Sequence, residues 1–177
     1  MLTVLKLVLC LNGAYGLKVG DVTYQCAIGK SGIIENKVEG DEGTPVGRFH
    51  LKNLYYRKDK FVEEPQTGLP KIEITQDLGW CDEPTHPEYN RPVTSSFDFS
   101  HEKMWREDDL YDLVIEIDHN SDPVVPDKGS AVFIHVAREG YTPTAGCIAL
   151  KKEDLLEILK MVSRRVILEV KNPGIFD

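Results

Sequence analysis

The chain has 177 residues, enough to bury one hydrophobic core, and we expect a single domain over residues 1–177. Apolar residues make up 41% and charged residues 28%, a balance ordinary for a globular protein that argues against extended disorder. A formal net charge of −8 excludes the electrostatic footprint of a nucleic-acid binder, and no run of about 18 apolar residues offers a membrane-spanning helix.

Leu2 to Leu11 is strongly apolar and has two readings, a buried strand entering a turn at Asn12-Gly13 or the hydrophobic part of an export signal. Lys6 interrupts the run, no basic segment precedes it and no small-x-small cleavage site follows, which favours the strand. In Val22 to Ile28 the side chains of Val22, Tyr24, Cys26 and Ile28 share one face at a period of two, and Gly29 with Gly32 marks a turn. Ile33 to Val38 is then expected to return as the partner strand of a hairpin. Thr44-Pro45 with Gly47 reads as a turn into the next strand, a structural role in which proline fixes φ and glycine admits an awkward backbone.

Gly47 to Tyr55 and Ile72 to Thr75 read as further strands. Between Leu78 and Arg106 the period is lost, with Pro84, Pro87 and Pro92 scattered among Trp80, Tyr89 and Phe97, and the pattern predicts a long loop of the kind that forms lids and binding loops. Leu113, Ile115 and Ile117 define one apolar strand face. Ser130 to Ala137 is a strand and Cys147 to Leu150 a short one. The helix that follows carries Leu155, Ile158, Leu159 and Val162 at i, i+3, i+4 and i+7. Arg165 to Val170 is the last strand. The fold class expected is mainly β, a sandwich or open barrel, with one main α-helix near the C-terminus.

Cys10, Cys26, Cys81 and Cys147 form no Cys-x-x-Cys pair, so no structural metal site is expected, and Cys10 and Cys26 lie in strand-like runs that suit core packing. On Ala131-Val-Phe-Ile-His-Val136 the side chains of Ala131, Phe133 and His135 point one way and those of Val132, Ile134 and Val136 the other. His135 is the ionisable group of that strand; alone, it is more readily explained as a satisfied core histidine. Twelve residues later comes Thr144-Ala145-Gly146-Cys147-Ile148-Ala149-Leu150. A thiol becomes an attacking thiolate beside a base, and imidazole is its usual partner. Gly146 permits close backbone approach, and its N–H with that of Cys147 is placed to steady an oxyanion. Spacing alone leaves a buried structural cysteine after a turn glycine open.

These segments resemble the L,D-transpeptidase (YkuD-like) catalytic domain, whose signature is a strand-end histidine followed by a loop ending in Ser/Thr-x-Gly-Cys and a short apolar strand. Gly40-Asp-Glu-Gly-Thr-Pro-Val-Gly-Arg-Phe49 is also similar to that family's Gly-Asp-x-x-Thr-Pro-x-Gly-x-Phe stretch, and the resemblance runs from about Val22 to Val170. It implies Cys147 as nucleophile, His135 as base and the main chain of Val136 as the group that orients the histidine; Asp118 or Asp127 would be side-chain alternatives for that orienting role. The common form has histidine and arginine where this chain has Ala145 and Ala149, a departure that points to a short subfamily. Arg138, Thr144 and Ala145 are the expected substrate contacts beside the pair. Trp80, Tyr89, Asn90 and Arg91 are candidates to line a peptide cleft, and His119 with Asn120 to support it. His50, His86 and His101 read as surface residues. The resemblance implies no metal and no cofactor, a monomer, and peptidoglycan stem peptides as substrate, with L,D-transpeptidation as the reaction. A carboxypeptidase or amidase using water as acceptor, and a non-catalytic wall-binding module, are the alternatives. Such a substrate places the protein in the periplasm or cell envelope, while the weak export signal keeps a cytoplasmic location open.

Overall fold

The computed structural model describes residues 2–94 and 96–173. The apolar N-terminal run is β1 (Val4–Leu9), and it lies in the interior of the sheet, parallel to β14 (Ile167–Val170) and antiparallel to β2 (Tyr15–Val19). Lys6 turns outward between the buried Leu5 and Leu7, so the charge that interrupts the run in sequence sits on the solvent side of an ordinary alternating strand. The strand β2, absent from the sequence reading, links β1 to β3 (Val22–Ala27) through two tight hairpins. The first hairpin turns at Asn12-Gly13, where the Gly13 N–H donates to Cys10 O at 2.9 Å.

The hairpin expected between Val22–Ile28 and Ile33–Val38 is not formed. Both edges of β3 are taken, one by β2 and the other by β13 (Ile148–Leu150), so Ile33 has no edge to join there. Instead β4 (Ile33–Ile34) pairs in parallel with β5 (Thr44–Pro45). Residues 35 to 43 then form a loop that crosses the mouth of the cleft described below.

The long β6 (Gly47–Tyr56) closes the sheet. Its first half pairs with β14 and its second half with β11 (Leu113–Ile117), while β7 (Lys71–Glu73) extends from its end. With β12 (Phe133–Val136), the strand order is β11-β12-β13-β3-β2-β1-β14-β6-β7, and the β6–β11 pairing bends the sheet into a barrel. The expected mainly β class with a C-terminal helix holds. The helix α1 (Lys152–Leu159) buries Leu155, Ile158 and Leu159; Val162 lies beyond its end and is buried by the turn that leads to β14.

The stretch from Leu78 to Arg106 is not the predicted loop. It contains β8 (Leu78–Cys81), β9 (Pro92–Thr94) and β10 (His101–Lys103), a second sheet in the order β10-β8-β9. Each strand has three or four residues, too short to display an alternation, and Pro92 sits on an edge strand where its missing N–H costs no ladder bond.

Strand β12 separates two apolar clusters. Val132, Ile134 and Val136 join the barrel core with the α1 stripe, while Phe133 packs on the other side with Trp80, Tyr55, Tyr111, Met104 and Cys147. The strand is shorter than predicted because Ala131 has φ +51°, a left-handed conformation outside strand geometry. That residue is held there by its two neighbours in space: its N–H donates to Asn90 Oδ1 at 3.1 Å and its carbonyl accepts from Cys147 Sγ at 3.2 Å.

Candidate active site

Parallel pairing of β12 with β13 sets His135 opposite Ala149. Cys147 stands two residues before Ala149, so by alternation it falls on the same sheet face as His135. Both line one cleft of about 480 Å³, together with Lys37, Glu102, Tyr111 and Arg138.

The imidazole of His135 is buried, and its Nδ1 lies 2.8 Å from Val136 O. A carbonyl only accepts, so Nδ1 carries the proton and Nε2 keeps its lone pair. Burial, partly offset by that carbonyl, lowers the pKa of His135 from 6.5 to about 4. The ring of Tyr111 meets it edge-on, with centroids 5.2 Å apart. Cys147 is 8% exposed; its Sγ donates to Ala131 O at 3.2 Å and accepts from the Phe133 N–H at 3.3 Å. Burial, and after it the Glu102 carboxylate, pushes this thiol up to about 12, against the Phe133 N–H and the Lys37 ammonium, which act the other way. The resting pair is thus a neutral thiol beside a neutral imidazole, and among the described residues no hydrogen bond joins Sγ to the ring.

The loop that delivers Cys147 is tied internally and to the Gly40–Phe49 segment. The hydroxyl of Thr144 accepts from the Gly146 N–H at 3.1 Å and donates to Cys147 O at 2.6 Å. Gly146 has φ +136°, and a Cβ there would meet Gly43 O at 2.8 Å, so both conformation and space call for glycine. The Thr44 hydroxyl accepts from the Gly29 N–H at 2.9 Å and donates to Gly146 O at 2.8 Å. Asp41 accepts from the N–H groups of Val38 and Gly43 at 2.8 and 2.9 Å and pairs with Lys37. The two sequence segments that resemble family motifs are therefore one hydrogen-bonded unit.

The remaining candidates divide between the cleft and the scaffold. Ala145, Thr144 and Arg138 line the cleft; Arg138 is 56% exposed, with its guanidinium 4.0 Å from Asp108. Trp80, Tyr89, Asn90, Arg91 and His119 do not line it. Trp80 is 3% exposed and packs edge-on against Tyr55 and Phe133, behind the site, because β8 carries it into the second cluster. Asn90, at φ +55°, is a junction: Oδ1 accepts from Trp80 Nε1 and the Ala131 N–H, while Nδ2 donates to His119 O and Asn120 O. The Tyr89 hydroxyl donates to Glu39 and accepts from the Gly129 N–H. Arg91 and His119 line a separate pocket on the far side of Phe133, where His119 Nε2 meets Lys128 O at 3.0 Å. The Asp118 carboxylate is engaged by His50, and the hydrogen bond found on His135 Nδ1 is to the Val136 carbonyl. His86 packs on Phe97 and Phe99, and His101 bonds Phe99 O.

Three residues of the cleft carry no signal in the sequence. Glu102, on the short β10, accepts from the Tyr111 hydroxyl at 2.5 Å, and burial raises its pKa. Tyr111 thereby bridges Glu102 and the His135 ring. Lys37 lies within the segment that local pattern assigns to a hairpin strand. Among the described residues no group of three or more His, Cys, Asp or Glu side chains is disposed to hold a metal ion.

Compared with known proteins, residues 12–170 match the family model described as YkuD, L,D-transpeptidase catalytic domain. No curated protein matches. Among solved structures, L,D-transpeptidase 1 of Mycobacterium tuberculosis is 15% identical, with a TM-score of 0.43 over 95% of this chain and 59% of that one. An L,D-transpeptidase from Mycobacterium smegmatis is 14% identical, with a TM-score of 0.41 over 97% and 59%. The chain spans about three-fifths of the length of those two structures.

Proposed function

The chain belongs to the L,D-transpeptidase catalytic domain family, and from this we propose that it is a cysteine-dependent acyltransferase acting on peptidoglycan stem peptides. The observation that carries the reading is Cys147 and His135 on one face of the β12–β13 pair, in one cleft, with His135 fixed by Val136 O so that Nε2 is the basic nitrogen. In the proposed reaction Nε2 takes the thiol proton as sulfur adds to the carbonyl carbon between an L- and a D-centre of the donor stem. The carbonyl π pair moves to oxygen. Collapse of this oxyanion expels the D-amino acid, whose nitrogen takes the proton from His135, and leaves a thioester on Cys147. The amine of a second stem then attacks the thioester, gives a proton to Nε2 and frees the thiolate, which recovers that proton.

Purified protein incubated with a disaccharide-tetrapeptide is expected to form crosslinked dimers, with the free D-amino acid released and a mass adduct on Cys147 at early times. Shortened monomers without dimers would assign water as the acceptor and make the protein a carboxypeptidase. Turnover that survives Cys147→Ala refutes the nucleophile assignment.

A further inference from the structure

An acyl-transfer intermediate needs positive charge or N–H donors at its oxygen, and one of the two N–H donors expected from sequence is already committed. The Gly146 N–H is committed to Thr144 Oγ1. Ala149 stands where the common form of the signature has arginine, and Arg138 is 56% exposed at the rim, next to Asp108. Lys37 is placed differently. Its side chain is only 8% exposed, it lines the cleft that holds Cys147, and its Nζ lies 3.6 Å from where a Cβ on Gly146 would begin. The stem reaches this position past Gly129, where a Cβ would come within 2.9 Å of Lys37 Cε, so glycine at 129 leaves the channel that the lysine occupies. Asp41 holds the ammonium and is itself fixed by two backbone N–H groups. A buried ammonium is costly to desolvate, and one aimed along the nucleophile loop is costlier than any solvated lysine with the same partner.

Resting on the enzyme reading above, we propose that Lys37 supplies the positive charge of the reacting centre. Its ammonium faces Cys147 as sulfur becomes a thiolate, and then the carbonyl oxygen as the thiolate adds. No proton leaves Lys37 in either step: the thiol proton passes to His135 Nε2, and the new oxyanion is balanced by the standing ammonium charge. The groups that face Cys147 are Glu102, Tyr111, His135 and Lys37, of which the Glu102 carboxylate opposes the thiolate. Asp41 and His119 are the charged and titratable groups facing Lys37. Glu39, Glu42, Asp82, Arg106 and Arg138 complete the charged lining.

The test is the pH dependence of Cys147 alkylation by iodoacetamide, an uncharged probe, with the adduct located by mass spectrometry because Cys10, Cys26 and Cys81 are also free. Lys37→Met is expected to move the profile to higher pH and slow alkylation about tenfold at any pH below its midpoint, as loss of one nearby cation requires. Lys37→Arg, which keeps the charge, is expected to return most of the rate. With the tetrapeptide substrate, kcat should fall in Lys37→Met with KM little changed, the pattern of an interaction made in the transition state. If Lys37→Met does not fold, Lys37→Gln takes its place, since it still offers Asp41 a hydrogen bond. An alkylation profile that stays where it is in a folded, uncharged variant overturns the proposal. That result is distinct from failure of the enzyme reading, which would show as turnover unaffected by Cys147→Ala whatever Lys37 does to the profile.

Discussion

Replacing Thr44 by valine removes one hydroxyl and almost nothing else. Thr44 is 1% exposed, and its hydroxyl is the bridge between Gly29 N–H and Gly146 O, at 2.9 and 2.8 Å. Valine has nearly the same shape but leaves a buried donor and a buried acceptor without partners, each costing about 1–3 kcal/mol. The expected loss is therefore roughly 2–6 kcal/mol, and in a chain of this size it lowers the melting temperature by roughly 4–24 °C. Equilibrium unfolding in urea measures it, with an unchanged m-value as the sign that the folded state is otherwise intact. Thr44→Ser keeps the hydroxyl and loses a methyl group, so it should cost about 1 kcal/mol. Because Gly146 precedes the proposed nucleophile, Thr44→Val should also slow acylation of Cys147 under conditions where the variant is still folded. A loss below about 1 kcal/mol in Thr44→Val, or an equal loss in Thr44→Ser, would refute the view that this hydroxyl ties the two segments together.

Two further outcomes follow from the same geometry. The buried His135 titrates at about 4 in the folded protein against 6.5 when exposed, so the unfolded chain binds the extra proton between those values. Stability from this group is present above pH 6.5 and is lost as pH falls toward 4, by about 3 kcal/mol in all; urea unfolding across that window should show a smaller pH slope in His135→Asn than in the parent protein. Asn90→Ala deletes the junction that holds Trp80, Ala131 and the His119–Asn120 backbone, and should cost about 2–4 kcal/mol in the same assay. Asn90→Gly relieves the positive φ yet loses the same bonds, so it should be destabilised as well; stability equal to the parent would show that φ, and not the bonds, is what the asparagine serves.

The sequence by itself determined what is local. An apolar run placed β1, alternation at a period of two placed β3, β6, β11 and β12, and the i, i+3, i+4, i+7 stripe placed α1, since these patterns mark the face that meets the core wherever the partner strand lies. The face of His135 was likewise legible, because side-chain direction on a strand needs only the count along the chain. Tertiary structure decided which strands are neighbours. The expected hairpin at Ile33 failed because β13, from the far end of the chain, already holds the free edge of β3, with Ala149 opposite Ala27 and Leu150 opposite Cys26. The same fact hid Lys37, which left a presumed strand and entered the cleft on a loop. Trp80 and Glu102 sit opposite each other in the antiparallel β8–β10 register and so share a face, where Trp80 is packed into the second core and Glu102 lines the cleft beside Cys147. Nothing within a few residues of either distinguishes those fates. Charge and burial at the site are sums over groups brought from Lys37, Glu102, Tyr111, His135 and Cys147, and those sums exist only once the barrel has closed.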